Sequence, residues 1–287
     1  MCWSHFLAVY LKMYYRYKRI VEGFTEFGTP SLKYYAFDWD DNIMTMPTKI
    51  MVLDDEGNEV GMSTEDFAEY RGIIGKEPFQ YKGKTIIGLD YTTAFRNFRT
   101  DGDEQFKTDV FEAEKGPVWN DFVEAINNGS IFSIITARGH SPQTLKDAVY
   151  NMIVMDFGGI DKKQLVKNLR KFRNFMNMDK LSDRELIQNY LDMCKFYPVS
   201  YGAGVESNPE EAKVDAMKEF VTYVKQLSEE LNQRAKIKNL VMNKFIPSIG
   251  FSDDDLKNVE LMKKEFNDDP DNILQTYLTK GGIKKKY

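Results

Sequence analysis

Two acids one residue apart close an apolar run near the start of the chain, where Lys33-Tyr-Tyr-Ala-Phe37 leads into Asp38-Trp39-Asp40. A second acidic pair, Asp253-Asp254, follows the run at 246–251 more than 200 residues later. Between them, Ile131-Phe-Ser-Ile-Ile135 runs into Thr136. A carboxylate can attack phosphorus to give an aspartyl-phosphate. An acid one dipeptide away can protonate the leaving group and later activate water. Phosphoryl transfer asks a protein mainly for positioning and charge neutralisation, which Thr136, nearby backbone N–H groups, a lysine and a metal ion can supply. Several carboxylates cannot all stay ionised in a small space without a cation. Oxygen-only ligation suits Mg²⁺, whereas Zn²⁺ usually draws on Cys or His, and the chain holds only Cys2, Cys194, His5 and His140.

Such distant residues meet when each follows a strand of one open parallel sheet, because the functional crevice lies beyond the carboxyl ends of the strands. Short apolar runs at 33–37, 131–135, 196–201 and 246–251 alternate with helix signals, which predicts an α/β fold with a mostly parallel sheet. Pro117 opens a helix whose apolar face is Val118, Trp119, Phe122, Val123 and Ile126, and Asn128-Gly129 ends it. Ser141-Pro142 opens a second helix, with Leu145, Ala148, Val149, Met152 and Ile153 on one face. Asn208-Pro209 starts a third, buried along Val214, Met217, Phe220, Val221, Val224 and Leu227. Residues 31–43, 116–155 and 196–267 form the expected core. Residues 44–115 read as a first insertion, with a hairpin around Asp55-Glu-Gly-Asn58 and a capping-box helix start at Ser63. Residues 156–195 read as a second, basic helical insertion with a capping box at Ser182-Asp-Arg-Glu185. Both are expected to act as caps or lids. Residues 268–287 read as a C-terminal helix with the basic tail Lys284-Lys285-Lys286, and 1–30 as either a packed helix or a loosely attached extension.

The segment Tyr35-Ala-Phe-Asp38-Trp-Asp40-Asp-Asn-Ile43 resembles the first motif of the haloacid dehalogenase (HAD) superfamily, two Asp separated by one residue after an apolar strand. Ile134-Ile-Thr136-Ala-Arg138 is similar to its second motif, and Lys213, early in a helix, to its third-motif lysine. Phe251-Ser-Asp253-Asp254-Asp-Leu-Lys-Asn258-Val resembles the fourth, acidic motif. The resemblance covers 33–43, 131–153 and 196–266 in the family's order. It implies a Rossmann-like, three-layer HAD-like core carrying cap insertions, and the activity of a Mg²⁺-dependent phosphatase, a phosphoric monoester hydrolase. By position it implies Asp38 as nucleophile and metal ligand, and Asp40 as general acid/base whose backbone carbonyl also meets the metal. Thr136 would bind the transferred phosphoryl group, Lys213 would stabilise its charge, and Asp253 and Asp254 would complete the Mg²⁺ site. Asn42 stands where the family usually has Thr or Val. Lys218 and Lys244 compete with Lys213, and Asp255 with either acid of the fourth motif. Arg138 and His140 either contact substrate or cap the loop after Thr136.

Composition bounds the rest. The 287 residues are 42% hydrophobic and 29% charged, an ordinary globular mix. The length is about twice the ~150-residue domain prior, which suits one large domain or a domain with insertions. Two Cys exclude a disulfide framework and make a reducing compartment the expectation. The apolar run 3–11 is too short to span a bilayer and lacks signal-peptide flanks, so a cytoplasmic protein without membrane contact is expected. The net charge of −5 gives no overall drive toward nucleic acid. Residues 160–180, however, hold seven basic side chains against two acidic ones. That segment is either a solvated face or a docking surface for a polyanion, so the expected substrate is a phosphorylated small molecule, a nucleotide or a nucleic-acid terminal phosphate. From another class, a binding or assembly protein could keep the HAD-like fold without turnover, using its 14 Met and the N-terminal aromatics Trp3, Phe6, Tyr10, Tyr14 and Tyr15 for contacts.

Overall fold

A computed structural model describes residues 31–176, 181–202, 208–237, 246–269, 271, 273–280 and 283–287. The N-terminal segment 1–30, Lys244 and the end of the basic stretch, 177–180, lie outside these residues.

The first strand, β1 (Ser31–Phe37), alternates its side chains between two apolar clusters: Tyr34 and Ala36 enter one, Phe37 the other. The chain then leaves through β2 (Met44–Thr45), the hairpin β3 (Ile50–Asp54) and β4 (Glu59–Met62), and α1 (Thr64–Tyr70). A second hairpin, β5 (Phe79–Tyr81) and β6 (Lys84–Gly88), precedes α2 (Asp103–Glu112) and β7 (Glu114–Lys115). The two hairpins form one antiparallel sheet in the order β4-β3-β6-β5, and β2 pairs with β7 to close the excursion at its base. At Lys82-Gly83 both residues have positive φ, as a two-residue hairpin turn of the right twist requires. Ser63 caps α1 by accepting the Asp66 N–H.

The core continues with α3 (Trp119–Asn128), β8 (Phe132–Thr136), α4 (Pro142–Val154), α5 (Lys162–Met176), α6 (Asp183–Met193) and β9 (Lys195–Pro198). It ends with α7 (Pro209–Ile237), β10 (Ile246–Asp253), α8 (Leu256–Glu265), β11 (Leu274–Leu278) and β12 (Lys285–Lys286). The caps expected at Ser141 and Gly129 are in place, the latter left-handed at φ 71°, although α3 begins at Trp119, two residues after Pro117. The capping box of Ser182 and Glu185 is complete in both directions.

The central sheet has the order β12-β11-β10-β1-β8-β9, and every neighbouring pair is parallel except β11 with β12. Helices cover both faces. Phe37, Phe132 and Ile134 pack with residues of α3, α4, α5 and α6; Tyr34, Ile135, Ile249 and Phe251 pack with α7 and α8. Fully burying one such side chain contributes about 1.5–3 kcal/mol, so both faces are strongly held. Among the described residues, no helix is long and apolar enough to cross a membrane.

Three expectations need correction. Residues 268–287 are not a helix: β11 docks on β10 from Ile249↔Leu274 to Asp253↔Leu278, and β12 turns back on it. The second insertion, 156–195, is not a lid. Leu165, Leu169, Leu186, Ile187 and Tyr190 share one cluster with Phe37 and Phe132, which makes α5 and α6 part of the layer over one sheet face. The first insertion, 44–115, is not wholly outside the core either, because Phe106 and Val110 of α2 enter that same cluster.

Candidate active site

The carboxyl ends of β1, β8 and β10 converge. The strands are in register from Tyr35 to Phe37 on both sides, and the Asp38 N–H donates to the Ser252 carbonyl at 3.0 Å, extending the ladder one step. The next residue, Trp39, is wholly buried against Phe106, so the alternation turns Asp38 and Asp40 toward the opposite side, where both line a cleft of about 490 Å³. Thr136, Lys213, Asp253 and Asp254 line it too, so the five residues that follow the strands meet the lysine that the family resemblance suggested.

Lys213 is the centre of the arrangement. Its ammonium donates to Asp38 Oδ1 at 2.9 Å and to Asp253 Oδ2 at 2.8 Å, and all three residues are nearly inaccessible to solvent. It comes from the first turn of α7, where the Asn208 side chain accepts the N–H groups of Glu210 and Glu211 and fixes the helix start. Lys218 is excluded as a competitor, since it pairs with Asp215 and Glu265 at the surface. Asp255 is excluded as well, because it caps α8 through the Lys257 N–H and pairs with Arg71 at 2.7 Å. Asp253 is held by the Asn258 amide and the Asp255 N–H.

Oxygens of Asp38, Asp253 and Asp254 lie within 4.8 Å of one another. Burial pushes the Asp38 carboxyl well above the usual carboxylate range, and the charges of Asp253, Asp254 and Asp40 push the same way against Lys213. Asp254 is pushed up to about 8, first by burial and then by Asp253. Burial would strip Lys213 of its proton, yet Asp253 and Asp38 outweigh it and hold the ammonium above its ordinary value. Three carboxylates against one ammonium leave an excess of two negative charges, which one divalent cation matches. Asn258 Oδ1, a buried cleft atom with no hydrogen-bond partner, adds an orphaned oxygen beside the cluster. The donor set, entirely oxygen, therefore fits a hard cation.

Asp40 stands apart from that cluster. Arg138 grips it with Nε on Oδ2 at 2.8 Å and Nη2 on Oδ1 at 2.6 Å. The guanidinium stacks 4.5 Å from the Phe98 ring centroid and 4.9 Å from that of Phe106. His140, fully buried, is held below its ordinary pKa by burial and by Arg138, against the pull of Asp103. The ring is therefore neutral, and an Nδ1–H donated to Asp103 leaves Nε2 to accept from Arg138 at 3.2 Å. Of the two expectations for these residues, substrate contact does not hold for His140, which does not reach the cleft. Arg138 is 1% exposed and engaged on Asp40. Thr136 Oγ1 accepts the Arg138 N–H at 3.3 Å, so its own proton is left to donate.

Asn42, the departure from the family pattern, is a structural tie. Its amide nitrogen faces Asp38 O, Ser252 O and Ser252 Oγ at 3.0–3.1 Å, and its oxygen accepts from Thr279 at 2.8 Å. Sequence reasoning missed Arg71, which carries the first insertion onto Asp255 and Glu210, as well as Thr48, Asp103 and Asp109, which surround Arg138 and His140. Nothing local marks them, since their partners lie far along the chain. The described side chains of the basic stretch do not line the cleft. Lys162, Lys163, Lys167 and Arg170 line a separate groove, while α5 leans on the carboxyl end of α3 through Asn168 and Asn127. Because α3 leads into the start of β8, that end is opposite the cleft.

No protein-family model matches the chain, and no curated protein or solved structure matches it either.

Proposed function

We propose that this protein is a HAD-like phosphoric monoester hydrolase that forms an aspartyl-phosphate on Asp38. The observation that carries the reading is the buried Asp38–Lys213–Asp253 unit at the ends of adjacent parallel strands, with Asp254 beside it. Asp38, Asp253 and Asp254 would hold Mg²⁺, which when bound supplies positive charge against the phosphoryl oxygens.

Lys213 holds Asp38 Oδ1 and so fixes the direction of Oδ2, the attacking atom. As Oδ2 bonds to phosphorus, the bond to the leaving oxygen breaks and Asp40 gives that oxygen a proton. A water molecule then attacks phosphorus, Asp40 takes its proton, and the bond to Asp38 breaks to release inorganic phosphate. Thr136 donates its hydroxyl to a phosphoryl oxygen through both halves. The Arg138 fork fixes the plane and direction of the Asp40 carboxyl. Residues 44–115 serve as the cap, since Thr64, Phe67 and Arg71 line the cleft over these groups.

The test is release of inorganic phosphate from β-glycerophosphate with and without Mg²⁺, in the wild type and in Asp38→Asn. Mg²⁺-dependent release that the substitution abolishes is expected. Wild-type turnover by the variant refutes the nucleophile, and no release from any phosphomonoester favours a non-catalytic binding protein.

A further inference from the structure

The inner end of the cleft gathers the carboxylates and Lys213, while its outer wall is built mainly of aromatic rings. From the mouth inward, Tyr91, Phe95 and Phe98 follow one another with ring centroids 6.4–6.5 Å apart, Phe67 packs edge-on against Phe95 at 5.5 Å, and Arg138 covers Phe98. Tyr91 is 56% exposed, so much of its ring is open to solvent at the mouth of the cleft. Arg99 also lines the cleft, beside the backbone of Gly139. Among the described residues it pairs with no carboxylate, in contrast to Arg71, Arg96 and Arg138, each of which does. A cleft of about 490 Å³ is far larger than a phosphoryl group needs and falls in the range that encloses a whole small molecule, roughly 300–1,000 Å³.

We propose that this wall is a base-stacking subsite, and that the substrate is a nucleotide whose base lies on Tyr91 and Phe95 while its phosphomonoester reaches Asp38. The proposal rests on the phosphatase reading above and adds the chemical class of the group that phosphate is attached to. Planar rings accept a planar heterocycle on their faces, whereas an alkyl chain gains no preference from aromatic over aliphatic walls. An unpaired guanidinium at the same wall suits a polar, anionic substrate and penalises an alkyl tail. Phe67, Phe95 and Arg99 belong to the first insertion, and Asp38 to the core, so the base and the phosphate are read by different parts of the chain.

The experiment compares kcat/KM for 5′- and 3′-nucleoside monophosphates with that for ribose 5-phosphate, hexyl phosphate and β-glycerophosphate, in the wild type and in Tyr91→Ala. Base stacking on an aromatic ring predicts a preference for at least one nucleotide over ribose 5-phosphate of about ten- to a hundredfold. Tyr91→Ala, an exposed change that leaves the core intact, lowers that ratio toward one. Equal rates for nucleotide and sugar phosphate, or a preference for hexyl phosphate, overturn the subsite while the phosphatase stands. Should no phosphomonoester be hydrolysed, calorimetric titration of the wild type and Tyr91→Ala with the nucleotides still decides. Binding that the substitution weakens about tenfold supports the subsite although the phosphatase reading has failed, and no binding by the wild type ends both.

Discussion

Asp38→Asn should stabilise the metal-free protein while abolishing its activity. Asp38 lies within 4.8 Å of two other carboxylates, and at an effective dielectric constant of about 20 each like-charge pair costs about 3 kcal/mol. Two such repulsions nearly cancel the ~6 kcal/mol of attraction to Lys213 at 2.9 Å. Burial then decides the balance against the charge, which is why the Asp38 carboxyl is raised. A carboxyl raised in the folded state keeps its proton after the unfolded chain has released it near pH 4. Its contribution to stability is therefore complete below that pH and is lost as the pH climbs toward the folded value, at up to about 1.4 kcal/mol per pH unit. Asn carries no such penalty and can still offer its oxygen to Lys213. Urea unfolding in EDTA, followed by the fluorescence of the buried Trp39 and Trp119, should place the two proteins close together near pH 4, with the variant drawing ahead as the pH rises and leading by at least about 1–3 kcal/mol at pH 9. Adding Mg²⁺ should restore the wild type more than the variant. If the wild type is the more stable at pH 9 without divalent ions, the like-charge account of this cluster is wrong.

Arg138→Lys keeps the charge but loses the fork on Asp40 and the stacking on Phe98 and Phe106, so kcat should fall by roughly ten- to a hundredfold with a smaller change in KM; an unchanged kcat would mean that Asp40 needs no positioning. Asn42→Ala strips a fully buried amide that joins Asp38, Ser252 and Thr279 and should cost about 2–4 kcal/mol in thermal or urea unfolding, with Asn42→Thr recovering part of it. Gly116→Ala would place a methyl group 2.3 Å from the Asn42 carbonyl oxygen, an overlap with backbone that cannot be relieved by a side-chain rotation. It should lower the melting temperature and the activity together, and a variant with wild-type values for both would show that this loop is softer than it looks.

The acids and Thr136 were legible because each follows a strand, whereas Lys213 comes from the start of a helix and was suggested only by the family resemblance. An apolar run followed by Asp38 and Asp40, another followed by Asp253 and Asp254, and a third by Thr136 need only a parallel sheet to bring them together. What could not be read was which neighbour each apolar face would meet. In α5 the apolar residues Leu165, Val166 and Leu169 lie on one helical face, but such periodicity does not say whether that face closes a lid or covers a sheet. Leu274–Leu278 becomes a strand because β10 offers it a free parallel edge, a contact between segments that share no local signal. Arg71 escaped notice for the same reason, since its carboxylate partners are 139 and 184 residues away. The hairpin at Lys82-Gly83 was readable in principle from the glycine, but a lysine at positive φ gives no warning.

Asn42 ties the loop that carries Asp38 and Asp40 to Thr279, 237 residues further along. A ribosome adding about 5–20 residues per second needs roughly ten to fifty seconds to make that stretch. Through most of that interval Asp38 and Asp40 exist without Lys213, and Asp253 and Thr279 follow later still, so the emerging chain has no concentrated anionic pocket. Assembly order thus separates the groups that repel one another most until the lysine that reconciles them has been made, and the loop is locked only once Thr279 has followed.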